Sequence, residues 1–319
     1  MTPGASRIAV VIVTYNSARI LGGCLASLPV GAQGVRLTTV VVADNASKDD
    51  SIGLAEKAAE QITGQTTGQT TGLPVRTVQV GRNAGYAAAV NAGIAALDLH
   101  ELDAVFVMNP DCRLRAGSLA ALADALGRER TGIAVPMLVS TEGVLHHSLR
   151  RTPTVRGALA EALIGGRLTA RLGTLGEMVT DPGRYERPGP AVWATGAAML
   201  ISAAAVRDVG PWDESFLLYS EETEYALRAG DLGWTLWYES AAVVEHIGGE
   251  AKVNPMLAAL LTVNRVRLFR RRRGRLASAA FYLAVLLGES IRAAAGRRTA
   301  RASVVALLRP SRRLRALPG

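Results

Sequence analysis

Residues 103–114 read DAVFVMNPDCRL, and the way this segment stops decides the fold. Ala104 to Met108 have the length and composition of a buried strand, yet the chain runs from them straight into Asn109, Pro110 and Asp111. Asn-Pro-Asp is ordinary turn chemistry, because proline fixes its own φ and removes a backbone donor. From three residues alone, a bare turn and a ligand-bearing strand end are equally good readings. The order of elements around the segment separates them.

Upstream, RIAVVIVTYN (7–16) reads as a strand, SARILGGCLASL (17–28) as a helix capped by Ser17, and LTTVVVADN (37–45) as a second strand. The pattern then repeats. SKDDSIGLAEKAAEQI is helical, PVRTVQV a strand, GYAAAVNAGIAAL helical, and DAVFVMN the fourth strand. Near-continuous Val/Ile runs alternating with helices predict an α/β protein whose mostly parallel, Rossmann-like sheet is covered on both faces. The low-complexity TGQTTGQTTG (63–72) has no apolar anchor and reads as a surface loop.

In such sheets ligands bind outside the carboxyl ends of the strands. That edge collects Thr14-Tyr15-Asn16, Asp44-Asn45, Arg82-Asn83-Ala84-Gly85 and Asn109-Pro110-Asp111. Any one of these could be capping chemistry, but four polar strand ends on one edge point to a binding site. There is no G-x-G-x-x-G after the first strand and no G-x-x-x-x-G-K-[ST] anywhere, which removes the dinucleotide fingerprint and the Walker loop. A divalent cation held by one carboxylate together with substrate phosphates needs only a single Asp at a strand end. Asp111 is placed for that task.

Composition frames the rest. The 319 residues are 49% hydrophobic and 20% charged, enough for a large core. Cys24 and Cys112 form neither a CxxC pair nor a zinc spacing, which suits a reducing cytosol. The start, MTPGASR, leads into an apolar run too short for a signal peptide or a span. Residues 265–319 hold fifteen arginines, no lysine and the single acid Glu289, a net +14; against +9 for the whole chain, the remainder carries −5. The arginines bracket LASAAFYLAVLLGESIR, whose apolar core, Leu276 to Leu287, is shorter than the roughly 20 residues of a span. This predicts an in-plane helix on an anionic membrane surface, with a helix packed on the body as the alternative.

VVIVTYNS, VVVADNASKDDS, VGRNAGYAAAVNAGI, VMNPD and GPWDESFLLYSEETEYALRAGDLGW together resemble the family-2 glycosyltransferases of GT-A fold, particularly the rhamnosyltransferase-like branch, over about residues 7–250. The resemblance implies an inverting, single-sugar transfer from a nucleoside-diphosphate sugar, dTDP-rhamnose favoured, to a glycan or polyprenyl-linked acceptor in cell-envelope synthesis. By it, Thr14, Tyr15, Asn16, Asp44, Arg82, Asn83, Gly85 and Asn109 serve the donor. Asp111 and His246, which ends SAAVVEHIGG, hold Mg2+ or Mn2+, Asn109 standing at the first place of the family's D-x-D. AVWATGAAMLIS reads as a strand whose Trp193, Thr195 and Gly196 resemble the acceptor-side segment.

LLYSEETEYALRAGDLGW reads as a helix that Ser220 caps and Gly230 closes. Taken alone, Glu221 and Glu222 are first-turn carboxylates complementing the helix dipole, worth about 0.3–1 kcal/mol each. The resemblance makes Glu222 the general base and Glu221 its neighbour, with Glu where the family usually has Asp. No Q-x-x-R-W occurs, so one sugar per encounter is expected. The expected organisation is a GT-A domain over 1–255, with a donor half (1–135) and an acceptor half (190–255), then a basic helical extension over 256–319. The expected location is cytoplasmic, peripheral at the inner face of the plasma membrane, with no nucleic-acid partner. The rival readings are a sugar-nucleotide nucleotidyltransferase and a non-catalytic sugar-nucleotide-binding module.

Overall fold

The computed structural model describes residues 5–64, 75–173, 175–248 and 254–319. The predicted alternation is present: β1 (Arg7–Thr14), α1 (Ala18–Gly31), β2 (Arg36–Asp44), α2 (Ser51–Gly64), β3 (Val75–Gln79), α3 (Tyr86–Ala95) and β4 (Ala104–Met108). Of TGQTTGQTTG, Thr63 and Gly64 end α2 and the remainder lies outside the described residues. Next come β5 (Cys112–Leu114), α4 (Ser118–Leu126), β6 (Thr131–Val139), β7 (Leu149–Arg150), α5 (Val155–Ile164), α6 (Gly166–Arg171) and α7 (Gly183–Glu186). β8 (Gly189–Ala191), β9 (Trp193–Ala194), β10 (Ala198–Ser202), α8 (Ala203–Val209), α9 (Glu221–Asp231) and β11 (Thr235–His246) complete the sheet region. Three helices follow: α10 (Pro255–Arg272), α11 (Arg275–Ala294) and α12 (Arg298–Leu308).

The main sheet runs β3-β2-β1-β4-β10-β6-β11-β5, with β8 beside β11. The first four strands are parallel; β10 then enters antiparallel between β4 and β6, so the second half is mixed. Register sets the site. Thr14 lies opposite Asp44, Asp44 opposite Gln79, and Ile12 opposite Met108, so the polar strand ends emerge together. Along β1 the two-residue period divides the core. Ile8, Val10 and Ile12 fall in one core cluster with Leu21, Leu25 and Leu28 of α1, while Ala9, Val11 and Val13 fall in another with Ala87 and Val90 of α3. Burying each Val or Ile is worth about 1.5–3 kcal/mol.

Several local expectations are corrected. AVWATGAAMLIS is not one strand: β8 stops at Ala191, β9 is the pair Trp193–Ala194, and β10 begins at Ala198. Trp193 Nε1 donates to the Arg151 carbonyl and Thr195 N to that of Ser148, which draws this stretch into a side ribbon with β7. Ser17 does not cap α1; Asp49 accepts from Ala18 N at 2.9 Å, while the Ser17 hydroxyl donates to the Tyr15 carbonyl. Ser220, at φ 75°, makes no side-chain cap. Gly230 lies inside α9, and the left-handed residue after it is Gly233.

Residue Asn254 caps α10, its Oδ1 accepting from Met256 N and Leu257 N, with Pro255 at the first helical position. The last three helices share a core with α5 built from Ala158, Val266, Phe269, Phe281 and Leu307. Arg265 joins them by pairing with both Glu161 and Glu177 at 2.8 Å. α11 packs on the body with one face, as the alternative reading expects, and leaves apolar side chains exposed on the other. Its Phe281, Ala284 and Val285 are buried in this core, whereas Leu276, Leu283, Leu287 and Ile291 face outward, Leu276 89% exposed. Its 20 residues reach the length of a span, but one face is committed to the bundle. Nor is the arginine run evenly solvated, since Arg271 pairs with Asp213 and Arg272 with Asp231.

Candidate active site

At the carboxyl edge of β1, β2 and β3, Asp44 is fully buried and acts as a hub. Its Oδ1 accepts from Thr14 Oγ1 at 2.9 Å and from Ser47 Oγ, and its Oδ2 from Ser47 N at 2.8 Å. Those bonds fix the second loop against the first. Asn16, left-handed at φ 49°, completes the clasp by accepting from Lys48 N. Asn45 reaches the third loop, donating to Gly85 O and accepting from Ala84 N. The Tyr15 hydroxyl and Asn83 Nδ2 both donate to the Pro318 carbonyl, at 3.0 and 2.8 Å, and Lys48 Nζ donates to Gly319 O. Residues 318–319 therefore lie along this polar edge. Arg82 is exposed and has no side-chain partner among the described residues.

At the end of β4, Asp111 Oδ2 lies 3.4 Å from His246 Nε2, because β5–β11 pairing sets His246 opposite Cys112. Gly248 N donates to Asp111 Oδ2, while Asp111 Oδ1 is buried with no partner. An unpaired buried carboxylate oxygen is costly unless a cation meets it, and a carboxylate beside an imidazole suits a hard divalent ion. The Cys112 sulfur lies near both groups, but its thiol donates to Ala197 O at 3.3 Å and burial, then the charge of Asp111, holds its pKa well above the usual thiol range. Asn109 contributes through its backbone, N donating to Ala197 O.

Opposite stands the acidic couplet at the start of α9. Each of Glu221 and Glu222 leaves its Oε2 buried and unpartnered. Burial raises both pKa values above the ordinary carboxylate range, and for Glu221 the charge of Glu222 raises it further. Two residues join this couplet to the Asp111 side: Gly196 packs on Glu222, and Ala197 O receives the bonds from Asn109 and Cys112. Tyr86, absent from the sequence-derived residues, donates its hydroxyl to Gly196 O at 2.9 Å, within the fields of Glu221, Glu222 and Asp111.

The loop that delivers the couplet is strained. Leu217, Tyr219 and Ser220 all have positive φ, at about 1–3 kcal/mol each. It is held from two sides. Tyr86 N donates to Leu217 O at 2.8 Å, and the buried Asn264 of α10 turns its Nδ2 toward the carbonyls of Phe216, Leu218 and Tyr219 at 2.6, 2.9 and 3.2 Å. No sequence signal identifies Asn264, since Asn in a helix is unremarkable until its partners are known.

The fit at Gly196 makes a prediction. A Cβ there would sit 3.0 Å from Glu222 Cβ and 3.3 Å from its Cγ, so Gly196→Ala should push the carboxylate aside. Turnover is expected to fall by roughly 10- to 100-fold, as for a misplacement of ~1 Å. Donor affinity, measured by calorimetry, should be unchanged.

Residues 9–183 match glycosyl transferase family 2. The chain belongs to this family. An N-acetylglucosaminyl-diphospho-decaprenol L-rhamnosyltransferase of Mycobacterium tuberculosis is 32% identical over 252 residues, covering 74% of this chain and 75% of the relative. The low-salt glycan biosynthesis hexosyltransferase Agl10 of Haloferax volcanii is 27% identical over 49% of the chain and 46% of its own length. The fold is also that of a Pyrobaculum calidifontis mannosyltransferase solved with GDP-Man and Mn2+, with TM-score 0.57 at 16% identity over 97% of this chain and 83% of that one. The protein is thus a GT-A glycosyltransferase similar to rhamnosyltransferases, and the nucleotidyltransferase and binding-module readings are set aside.

Proposed function

We propose that this glycosyltransferase moves one rhamnosyl group from dTDP-rhamnose to a sugar carried on a polyprenyl diphosphate, with inversion, at a membrane face. The observation that carries the chemistry is the pairing of Glu222, with its unpartnered oxygen, and Asp111, with its own, across the Gly196–Ala197 bridge. The sugar and the lipid-linked acceptor rest on the similarity to the mycobacterial rhamnosyltransferase. Residues 1–255 form the proposed catalytic domain and 256–319 the basic extension, whose outward leucines on α11 would meet the lipid.

Thr14, Tyr15, Asn16, Asp44, Arg82, Asn83, Gly85 and Asn109 frame the donor, and Trp193, Thr195 and Gly196 the acceptor side. Glu222 takes the acceptor hydroxyl proton as the new C–O bond forms and the bond to the nucleoside diphosphate breaks, its electron pair leaving on the phosphate oxygen. Such proton removal is worth about 10²–10⁴-fold. Asp111 and His246 would hold Mg2+ or Mn2+, which supplies charge neutralisation for the departing diphosphate. Because burial raises the Glu222 pKa, the acid limb of kcat/KM should lie above the range of an ordinary glutamate.

Calorimetry of dTDP-rhamnose with and without Mn2+, on wild type and Asp111→Asn, tests the reading. Wild type should bind more tightly with the ion, and the variant should lose that difference while keeping its melting temperature. A variant that still binds donor tightly, and only with metal, would move the metal site elsewhere.

A further inference from the structure

A cavity of about 880 Å³ lies between α10, α12 and the chain after α12, within the ~300–1,000 Å³ range of small-molecule sites. Leu260, Val263, Val266, Ala302, Ala306 and Leu307 supply an apolar interior. A second space of about 430 Å³ adjoins it, sharing Arg270, Tyr282, Leu307 and Arg313 as common wall. Together the two linings contain eight arginines and no carboxylate.

These guanidinium groups are poorly neutralised. Arg271 is paired with Asp213, and Arg313 donates to the Ala306 and Leu307 carbonyls at the end of α12. Among the described residues, Arg270, Arg273, Arg275 and Arg312 have no side-chain ion pair or hydrogen bond. The Arg267 pKa is lowered by burial and then by the charge of Arg271, with Asp213 opposing the shift only in part. An apolar chamber opening beside unpaired guanidinium groups is complementary to an anionic amphiphile, because guanidinium and phosphate form charge-assisted, often bidentate hydrogen bonds.

Position narrows the occupant. One end of the large cavity is walled by Phe216 and Leu217, in the loop that delivers Glu221 and Glu222, and by Asn264, which holds that loop. Leu314 closes another part, and four residues later the Pro318 carbonyl meets Tyr15 and Asn83 at the donor edge. The second space is lined by Arg275, Ser278 and Ala279 of α11, the helix whose other face exposes Leu276, Leu283 and Leu287. The chamber thus lies between a helix with exposed leucines and the loop that delivers Glu221 and Glu222.

We infer that this chamber binds the diphosphate and first isoprene units of the lipid-linked acceptor, holding the acceptor sugar toward Glu222. The inference rests on the proposed acceptor class and adds the place where its lipid portion sits. Arg270 and Arg275 take the diphosphate, and the apolar wall of α10 and α12 takes the chain.

Farnesyl diphosphate, a soluble amphiphile of this chemistry, is the probe, titrated by calorimetry into the full chain beside inorganic pyrophosphate and farnesol. It should bind at least about 100-fold more tightly than either part alone, since charge and apolar contacts act together. The double variant Arg270→Gln/Arg275→Gln should weaken it about tenfold or more. Ala302→Trp, which fills the chamber from a half-buried position, should do the same, and dTDP-rhamnose affinity should be unchanged in both. Farnesyl diphosphate binding no tighter than pyrophosphate, or indifferent to Ala302→Trp, overturns the inference. So does equal competition by phosphatidylglycerol vesicles, which would mark a general anionic-lipid surface. Donor binding without farnesyl diphosphate binding removes the chamber and leaves the proposed function standing.

Discussion

Glu222→Gln is expected to lower kcat by about 10²–10⁴-fold while leaving donor affinity unchanged, because the amide matches the carboxylate in volume but accepts no proton. The same change should stabilise the fold at neutral pH. Burial raises the Glu222 pKa above 4.5, so its favourable contribution is complete below that value and is lost as pH rises through the folded-state pKa. Above the folded-state pKa, wild type therefore bears the cost of an ionised, buried carboxylate that the variant lacks. Melting curves should show the variant ahead at high pH and the gap closing toward pH 4.5. Glu221→Gln should stabilise as well, since Glu221 is more deeply buried and shifted further by its neighbour, yet cost less turnover. Equal loss of turnover from the two substitutions would move the base off Glu222, and a lower melting temperature for both would contradict the burial-driven shift.

Gly85→Ala should be the most damaging substitution along the polar sheet edge. Gly85 has φ +98°, and a Cβ on it would lie 1.9 Å from the Leu217 carbonyl oxygen, a backbone atom that Tyr86 N already engages. Neither partner can yield without separating the loop after β3 from the loop that carries the acidic couplet. A loss of about 3 kcal/mol or more in urea unfolding is expected, with turnover abolished in whatever fraction still folds. Gly81→Ala is the control, because Gly81 has φ +80° but its Cβ would meet nothing within 4 Å. It should cost only the backbone term, about 1–2 kcal/mol. Similar losses for the two would show that conformation alone, and not the contact with Leu217, makes Gly85 necessary.

The chain's own pattern was sufficient for the parallel half of the sheet. Val/Ile runs of strand length separated by amphipathic helices permit little but a parallel sheet, and each run ends on polar residues that such a sheet must bring to one edge. Thr14, Asp44, Asn83, Gly85 and Asp111 could therefore be placed together before any coordinate. Local chemistry misled at helix starts: Ser17 and Ser220 have the right residue type for a cap, but Asp49 serves α1 and the left-handed backbone at Ser220 turns its hydroxyl from the task. The AVWATGAAMLIS stretch was misread for a similar reason, since its apolar pattern fits one strand but its hydrogen-bonding partners lie in two different sheets.

What sequence determined, then, was everything governed by period and by residue type at the end of an element: the sheet, its polar edge, the acid at the end of β4 and the couplet opening α9. Tertiary structure alone decided what depends on contacts between distant segments. Asn264 lies 42 positions after Glu222 in a helix that reads as part of a basic tail, yet it holds three carbonyls of the loop carrying that glutamate. The unpaired oxygen of Asp111, the hydroxyl of Tyr86 on Gly196 and the chamber among the arginines are of the same kind. Side-chain periodicity records which face of an element is buried; it carries no record of which other segment does the burying, and that is where this site's positioning resides.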